Sequence, residues 1–238
     1  MRKVIRYPSN LFQKNYNRRI KDNIRTIKKL PRIKGIKEII TLQLSYSKSW
    51  TNYNLIFHEL SSKKSEVIFE NNKIVISTIP LNHRVYTNGF LFKEKIGLRK
   101  INLNAPNLAF VDRSFYQNLK LGKDYVDDDG NVISNSELTS NPRPAKSYAY
   151  CSDTQYDESI VPIIHGVDLL YHESTFLDEH TEIAFRTKHS TAKQAAKIAR
   201  LSNSKKLILG HFSTRYHDFS KFIDETKKDF QNVELAYD

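Results

Sequence analysis

Five short segments hold side chains of the kinds that bind metals or move protons: PLNHRV with His83, YCSDT with Asp153, YHEST with His172 and Glu173, KHST with His189, and LGHFSTRY with His211. Four of them directly follow an aliphatic or β-branched run. His83 follows the run 73–80, Asp153 the run 148–150, His172 and Glu173 the run 167–171, and His211 the run 206–209. In open α/β sheets ligands bind beyond the carboxyl ends of strands, so these positions are candidates for one site. His189 instead precedes a helix N-terminus, where backbone N–H groups attract anions. Taken singly, a histidine near a strand end is commonly a surface or core residue, and Asp153 before Thr154 reads equally well as a turn or cap residue. Two neutral imidazoles and a carboxylate arriving at one sheet edge are nevertheless the donor types that zinc takes. His58, His165, His180 and His217 lack such placement and read as solvated surface.

The elements that must carry these side chains follow from periodicity. Residues 34–44 put Ile36, Ile39, Ile40 and Leu44 on one face and predict a helix. Lys73–Ile79, a β-branched run closed by Pro80, predicts a strand, and Phe90–Phe92 another. Residues 95–146 sustain no period and are punctuated by Asn104, Ala105 and Pro106, by DDDG at 127–130 and by NPRP at 141–144. They predict an insertion or arm outside the core. Beyond Ser147, strands are predicted at 148–150, 167–171, 206–209 and 233–236, and helices at 157–165, 175–187, 191–202 and 217–230. The helix at 191 opens with Thr191 and Gln194, a T-x-x-Q capping box, and offers Ala192, Ala195, Ala196 and Ala199 as a narrow small-residue face. Such alternation predicts an α/β fold, a sheet covered by helices.

The 238 residues, 39% of them hydrophobic, suffice for one sizeable α/β domain or two small ones and exclude a disordered chain. No apolar run approaches the roughly 18 residues needed to span a bilayer, and MRKVIRYPSN lacks the apolar core of a secretory signal. The expectation is a soluble, unexported chain with no membrane partner. The single cysteine, Cys151, excludes an internal disulfide and a Cys-rich zinc site, so any metal must be held by His and carboxylates. The net charge of +12 is unevenly placed: residues 1–40 carry 13 Lys/Arg against 2 Asp/Glu, and the remainder 25 against 24. The basic stretch reads as a phosphate-gripping arm, as an Arg-rich transit peptide, or as a stretch foreign to the domain that follows.

In this order and near these separations, PLNHRV, YCSDT, HEST, KHSTAKQAA and ILGHFSTRY closely resemble the C-terminal part of ribonuclease Z, the zinc endonuclease that matures tRNA 3′ ends within the metallo-β-lactamase superfamily. HEST resembles the family's HEAT block, KHST its HST block, and HFSTRY the block with its last ligand histidine. The resemblance runs from about Gly35 to Asp238. It implies an αββα sandwich incomplete at the N-terminus, with a basic segment 1–33 of no family resemblance, a partial domain 34–238, and residues 95–146 as an inserted arm. It implies His83 as a ligand of one zinc, Asp153 as the carboxylate bridging both, and His211 as a ligand of the other. Glu173 and His189 become a proton relay toward the leaving oxygen, and Arg215 a contact to the substrate phosphate. Lys120 and Lys123 in the arm become contacts to RNA. The resemblance further implies two zinc ions per subunit, a precursor tRNA substrate, a homodimer and a cytoplasmic location.

Two departures shape the expectation. The family's HxHxDH loop, which supplies most of its metal ligands and the Asp thought to act as general base, is not in the sequence, and residues 1–34 hold no histidine and one carboxylate, Asp22. An apolar sheet face without its partner and an incomplete ligand set are expected, with little activity from this chain alone. The Gly-Pro pair near the family's arm tip is also absent, Ser114 and Phe115 standing roughly in its place. Lys95, Arg99, Lys100, Arg113, Lys120 and Lys123 interleave with Phe110, Phe115 and Tyr116 there, which reads as an RNA grip or as a solvated loop. The alternative function is a non-catalytic RNA-binding fragment or subunit.

Overall fold

Strands that run the same way bring their carboxyl ends to one edge of a sheet, and this is how segments far apart in sequence come to meet here. The computed structural model describes residues 36–236 apart from Trp50, Asn54 and Glu59, so the basic segment 1–33 lies outside the described residues. The chain forms helix α1 (Ile36–Tyr46), strands β1 (Val67–Glu70), β2 (Ile74–Leu81), β3 (Thr87–Glu94) and β4 (Lys100–Ile101), and helix α2 (Tyr116–Lys120). Strands β5 (Tyr125–Val126) and β6 (Val132–Ile133), helix α3 (Asn135–Leu138), and strands β7 (Thr139–Ser140), β8 (Ser147–Cys151) and β9 (Leu169–Glu173) follow. Helices α4 (Thr181–Thr187) and α5 (Ala192–Leu201), strand β10 (Leu207–Gly210), helix α6 (Ser220–Thr226) and strand β11 (Val233–Leu235) complete it.

The large sheet has the order β1-β2-β3-β8-β9-β10-β11. Strands β8 to β11 are parallel, while β3 is antiparallel to both β2 and β8. Strand β2 therefore points the same way as β8, β9 and β10, and the four deliver His83, Asp153, Glu173 and His211 to one edge. The opposite edge is where residues 95–146 leave and return, at the end of β3 and the start of β8.

One face of the sheet is sealed. Leu91, Ala149, Leu170, Leu207 and Val233 form a cross-sheet row packed under Ala192, Ala195, Ile198 and Ala199 of α5 and Phe222 of α6. The alanine face lets α5 lie close to the strands, and each aliphatic side chain fully buried there is worth about 1.5–3 kcal/mol. Thr191 and Gln194 form the capping box that starts α5, each side chain bonding the other's backbone N–H. The other face carries Phe90, Tyr150, Tyr171 and Ile208 in one row and Phe92, Tyr148 and Leu169 in the next. Tyr150 stacks on Tyr171 at 4.7 Å and Phe92 on Tyr148 at 5.8 Å, yet this aromatic face stays partly open to solvent among the described residues.

Several elements differ from the periodicity. Strand β2 runs through Pro80 instead of ending there, because the β1 ladder stops at Ser77 and the missing N–H of Pro80 is needed on neither side. The helix predicted at 157–165 is a 3-10 turn, Glu158–Ile160, followed by turns into Gly166 at φ +70°. Residues 174–176 are not helical because their N–H groups go to other segments: Ser174 N donates to Gly210 O and Phe176 N to Ser190 O. The last helix shortens to α6, with Asp218 accepting from Ser220 N in the turn ahead of it and Asp229 N turning back onto Thr226 O after it. In α1 the predicted apolar face is not buried, Ile39 being 63% exposed.

Residues 95–146, which contribute nothing to the buried core of the large sheet, hold a second small core of their own. Ala105, Leu108, Val111, Leu119 and Leu138 are buried together, with Phe115 and Tyr116 packed beside them. Asn135 ties the segment internally, its amide donating to Leu119 O and Lys123 O. Periodicity missed this because 3-10 turns and two-residue ladders have no run long enough to repeat.

Asp168 fastens the starts of β8 and β9. It accepts from Ser147 N at 2.8 Å, from the Ser147 hydroxyl at 3.0 Å and from Lys205 Nζ at 2.9 Å. The Lys205 hydrogen bond, helped by Ser147 and opposed by burial, holds its carboxyl down to about 2. A depressed folded pKa contributes stability that is complete above the unfolded value near 4 and is lost as pH falls through about 2. Thermal unfolding followed from pH 5 to pH 2 is expected to show Asp168→Asn starting about 1 kcal/mol less stable and losing less across that window than the unaltered chain.

Candidate metal and proton-transfer site

Backbone geometry at the sheet edge is special before any side chain is considered. Of the five described residues other than glycine with positive φ, three sit here: Asp153 at 55°, Lys188 at 64° and His211 at 61°. Left-handed backbone costs an L-residue about 1–2 kcal/mol and turns the chain sharply, so each strand or helix end re-aims the side chain at or next to it. Gly210 precedes His211, and a Cβ there would collide with the Tyr171 ring.

Asp153, Glu173, His189 and His211 converge so that one donor atom of each lies within 4.8 Å of the others. His211 Nε2 is 3.0 Å from Asp153 Oδ1, and both side chains are nearly half exposed. Glu173 is completely buried and saturated. Its Oε1 accepts from Thr154 N at 2.8 Å and His189 Nδ1 at 2.7 Å, and its Oε2 from Thr175 N and Ser190 N at 3.2 Å and from the Thr175 hydroxyl at 2.5 Å. Burial alone would raise the pKa of Glu173, but the bonds from His189, Thr175 and Ser190 outweigh it and leave the pKa below the usual value. The same Glu173 bond, against some desolvation, raises the pKa of His189. With every lone pair taken, Glu173 is unfit as a metal ligand and suited to orienting His189. Asp153 and His211 keep open lone pairs and suit a metal.

His83 adjoins this group through His189, their rings 5.0 Å apart, and its Nδ1 donates to Lys188 O at 2.9 Å. His189 in turn stacks on His211 at 5.2 Å. Arg215 lies over the face of Phe176 at 5.0 Å, and the edge of Phe176 meets His189. Phe176 thus links a solvent-facing cation to the imidazole.

His172 does not join them. It shares its row with Cys151 and Leu209, so strand alternation turns it into the helix-covered core, where it is fully buried and burial lowers its pKa. Its neighbour Cys151 is buried too, its thiol pushed up to about 12 and inert. His180 is not free surface either, its Nδ1 bonding the Tyr216 hydroxyl at 2.8 Å. Lys120 and Lys123 stay in the 95–146 segment, rooted at the far edge of the sheet. Phe115 is held in that segment's core, edge-on to Tyr125, whereas Phe110 is 71% exposed. Thr154, Thr175, Ser190 and Phe176 escaped the sequence reading. Thr175, at i+2 from Glu173 beyond the strand end, was the one open to detection.

The described residues include no helix long and apolar enough to cross a membrane. No family model matches the chain. A ribonuclease Z of Cytophaga hutchinsonii is 43% identical over 205 residues, 85% of this chain and 64% of that protein. One of Bacteroides fragilis is 39% identical over 203 residues, 85% of this chain and 67% of its own length. The chain thus spans about two thirds of the curated relatives it matches. Among solved structures, human tRNase Z, short form, superposes with a TM-score of 0.54 at 19% identity, covering 88% of this chain and 65% of that one. A metallo-β-lactamase fold protein of Bacillus subtilis gives 0.52 at 14% identity, covering 88% and 62%. These two place the single helix-covered sheet in the metallo-β-lactamase fold. Sequence identity near 40% over two thirds of a relative's length, on that fold, makes this chain a member of the ribonuclease Z family.

Proposed function

We propose that the sheet edge works in a zinc-dependent endonuclease of the ribonuclease Z type, removing 3′ trailers from precursor tRNA, and that this chain alone is impaired. The convergence of Asp153, Glu173, His189 and His211 within 4.8 Å carries the reading. In it, His83, Asp153 and His211 are the metal ligands this chain supplies, a set of imidazole and carboxylate donors that fits zinc. Zinc held by these residues would supply a nucleophilic water at neutral pH and offset the charge that develops on the phosphate oxygens.

This chain's own side chains do the rest. Asp153 places its carboxylate against His211 Nε2, where the two would hold metal together. Glu173 holds His189 by Nδ1 and leaves Nε2 facing out, so that His189, its proton retained by the raised pKa, can pass it to the departing 3′ oxygen. Arg215, over the face of Phe176, meets the scissile phosphate. Lys120 and Lys123 contact RNA backbone away from the cut. A homodimer in the cytoplasm, with tRNA held by the 95–146 segment, belongs to the same reading.

The second reading, RNA binding without catalysis, draws on the separate core of residues 95–146, which can present cations whatever the state of the metal site. Zinc content and precursor tRNA cleavage measured on the same purified chain distinguish them. Less than about one zinc per chain and no cleavage are expected, with cleavage appearing when a polypeptide carrying an HxHxDH segment of a relative is co-expressed. About two zinc ions and cleavage by the chain alone would overturn the impairment. No cleavage on complementation, with chelator-resistant and salt-sensitive tRNA binding, would favour the second reading.

A further inference from the structure

We propose that Thr175 is a positioning residue that fixes the tautomer of His211, keeping its proton on Nδ1 and its lone pair on Nε2. The argument is one of hydrogen-bond polarity. Both oxygens of the buried Glu173 face backbone N–H groups, of Thr154 on one side and of Thr175 and Ser190 on the other, which can only donate, so the carboxylate accepts. The Thr175 hydroxyl lies 2.5 Å from Glu173 Oε2, the separation of an O–H donating to a carboxylate, so its only proton is engaged there. What Thr175 Oγ1 has left for His211 Nδ1, 2.8 Å away, is a lone pair. Nδ1 must therefore carry hydrogen.

His211 Nε2 then faces Asp153 Oδ1 at 3.0 Å with both atoms bearing lone pairs, a contact that needs a cation between them, proton or metal. The same polarity holds elsewhere at the site. His83 Nδ1 bonds a carbonyl, Lys188 O, which can only accept, and His189 Nδ1 bonds Glu173 directly. All three imidazoles turn Nε2 away from their supports. Only at His211 does the support itself have two possible directions, and there Glu173 chooses through Thr175. One buried carboxylate thus sets the proton on two rings. Oriented ligands of this kind typically bind metal about 10–100-fold tighter than unsupported ones.

The consequence for metal rests on the reading of His211 as a ligand; the tautomer does not. Long-range nitrogen–proton correlation spectra of the full chain without metal, followed upward in pH until the ring signals stop moving, report the tautomer directly. His211→Gln assigns the signal. Wild type and Thr175→Ser are expected to show Nδ1–H, while Thr175→Val, folded by its amide spectrum, shows a mixture with Nε2–H. Zinc titration should show affinity about 10–100-fold lower in Thr175→Val and unchanged in Thr175→Ser. Nε2–H in the wild type, or an unchanged tautomer in Thr175→Val, overturns the inference, and the wild-type and serine spectra decide it if the valine variant does not fold. An Nδ1–H ring in a chain that binds no zinc even beside a polypeptide supplying the HxHxDH segment would uphold the tautomer and sink the metal reading.

Discussion

Glu173→Ala should lower folding stability by about 3–5 kcal/mol, the largest loss expected from any single change at the site. The carboxylate is fully buried and takes hydrogen bonds from three segments: Thr154 after β8, Thr175 after β9, and His189 with Ser190 before α5. Removing it leaves three buried backbone N–H groups, a hydroxyl and an imidazole without their acceptor, and each unsatisfied group costs about 1–3 kcal/mol before relaxation. For a chain of this length the midpoint of thermal unfolding should fall by roughly 10 °C. Glu173→Gln, of the same shape but with an NH2 aimed at donors, should fall between. Urea titration of the three proteins tests this. A loss below about 1 kcal/mol for the alanine variant would mean that the carboxylate is not what joins these segments.

Asp153→Asn should do the reverse, leaving stability within about 0.5 kcal/mol and weakening zinc binding by more than the ~100-fold that an outer-shell partner is worth. The side chain is 45% exposed and its one close ionic contact is His211, so its removal strands nothing buried. Asn also tolerates the left-handed backbone at this position, so the turn keeps its shape. What disappears is the negative charge opposite His211 Nε2. Competition with a calibrated chelator measures the affinity, and an unchanged value would place any bound metal elsewhere. The contrast between neighbours is the informative result: Glu173 holds the edge together and Asp153 serves what binds there.

Why these residues were legible from the sequence, and others not, is a matter of range. His83, Asp153, Glu173 and His211 announced themselves because strand-forming runs end just before them, and parallel strands put such ends together. The capping box of α5 needed only Thr191 and Gln194. His172 could not be separated from Glu173 until the register showed which of two adjacent residues faces the core. Thr154 and Ser190 act through Glu173, 19 and 17 residues away, and nothing local shows that an N–H is bonded to a distant group. The 95–146 segment hid its core for another reason, since residues as separated as Ala105, Leu119 and Leu138 meet through short turns that leave no period.

The left-handed backbone at Asp153, Lys188 and His211 has a bearing on how this protein can be hardened. Glycine relieves such a turn by up to about 1 kcal/mol, so these three positions, with Lys48 and Asn203, are the thermostabilising changes that backbone geometry alone suggests. At Lys188 the exchange forfeits a hydrogen bond to Gln155 and a contact with the Phe185 ring. At Asp153 and His211 it would delete the side chains that give the edge its chemistry. Robustness and activity therefore compete for the same two residues, and a version of this chain selected only for heat tolerance would drift toward a sturdier sheet with nothing at its edge.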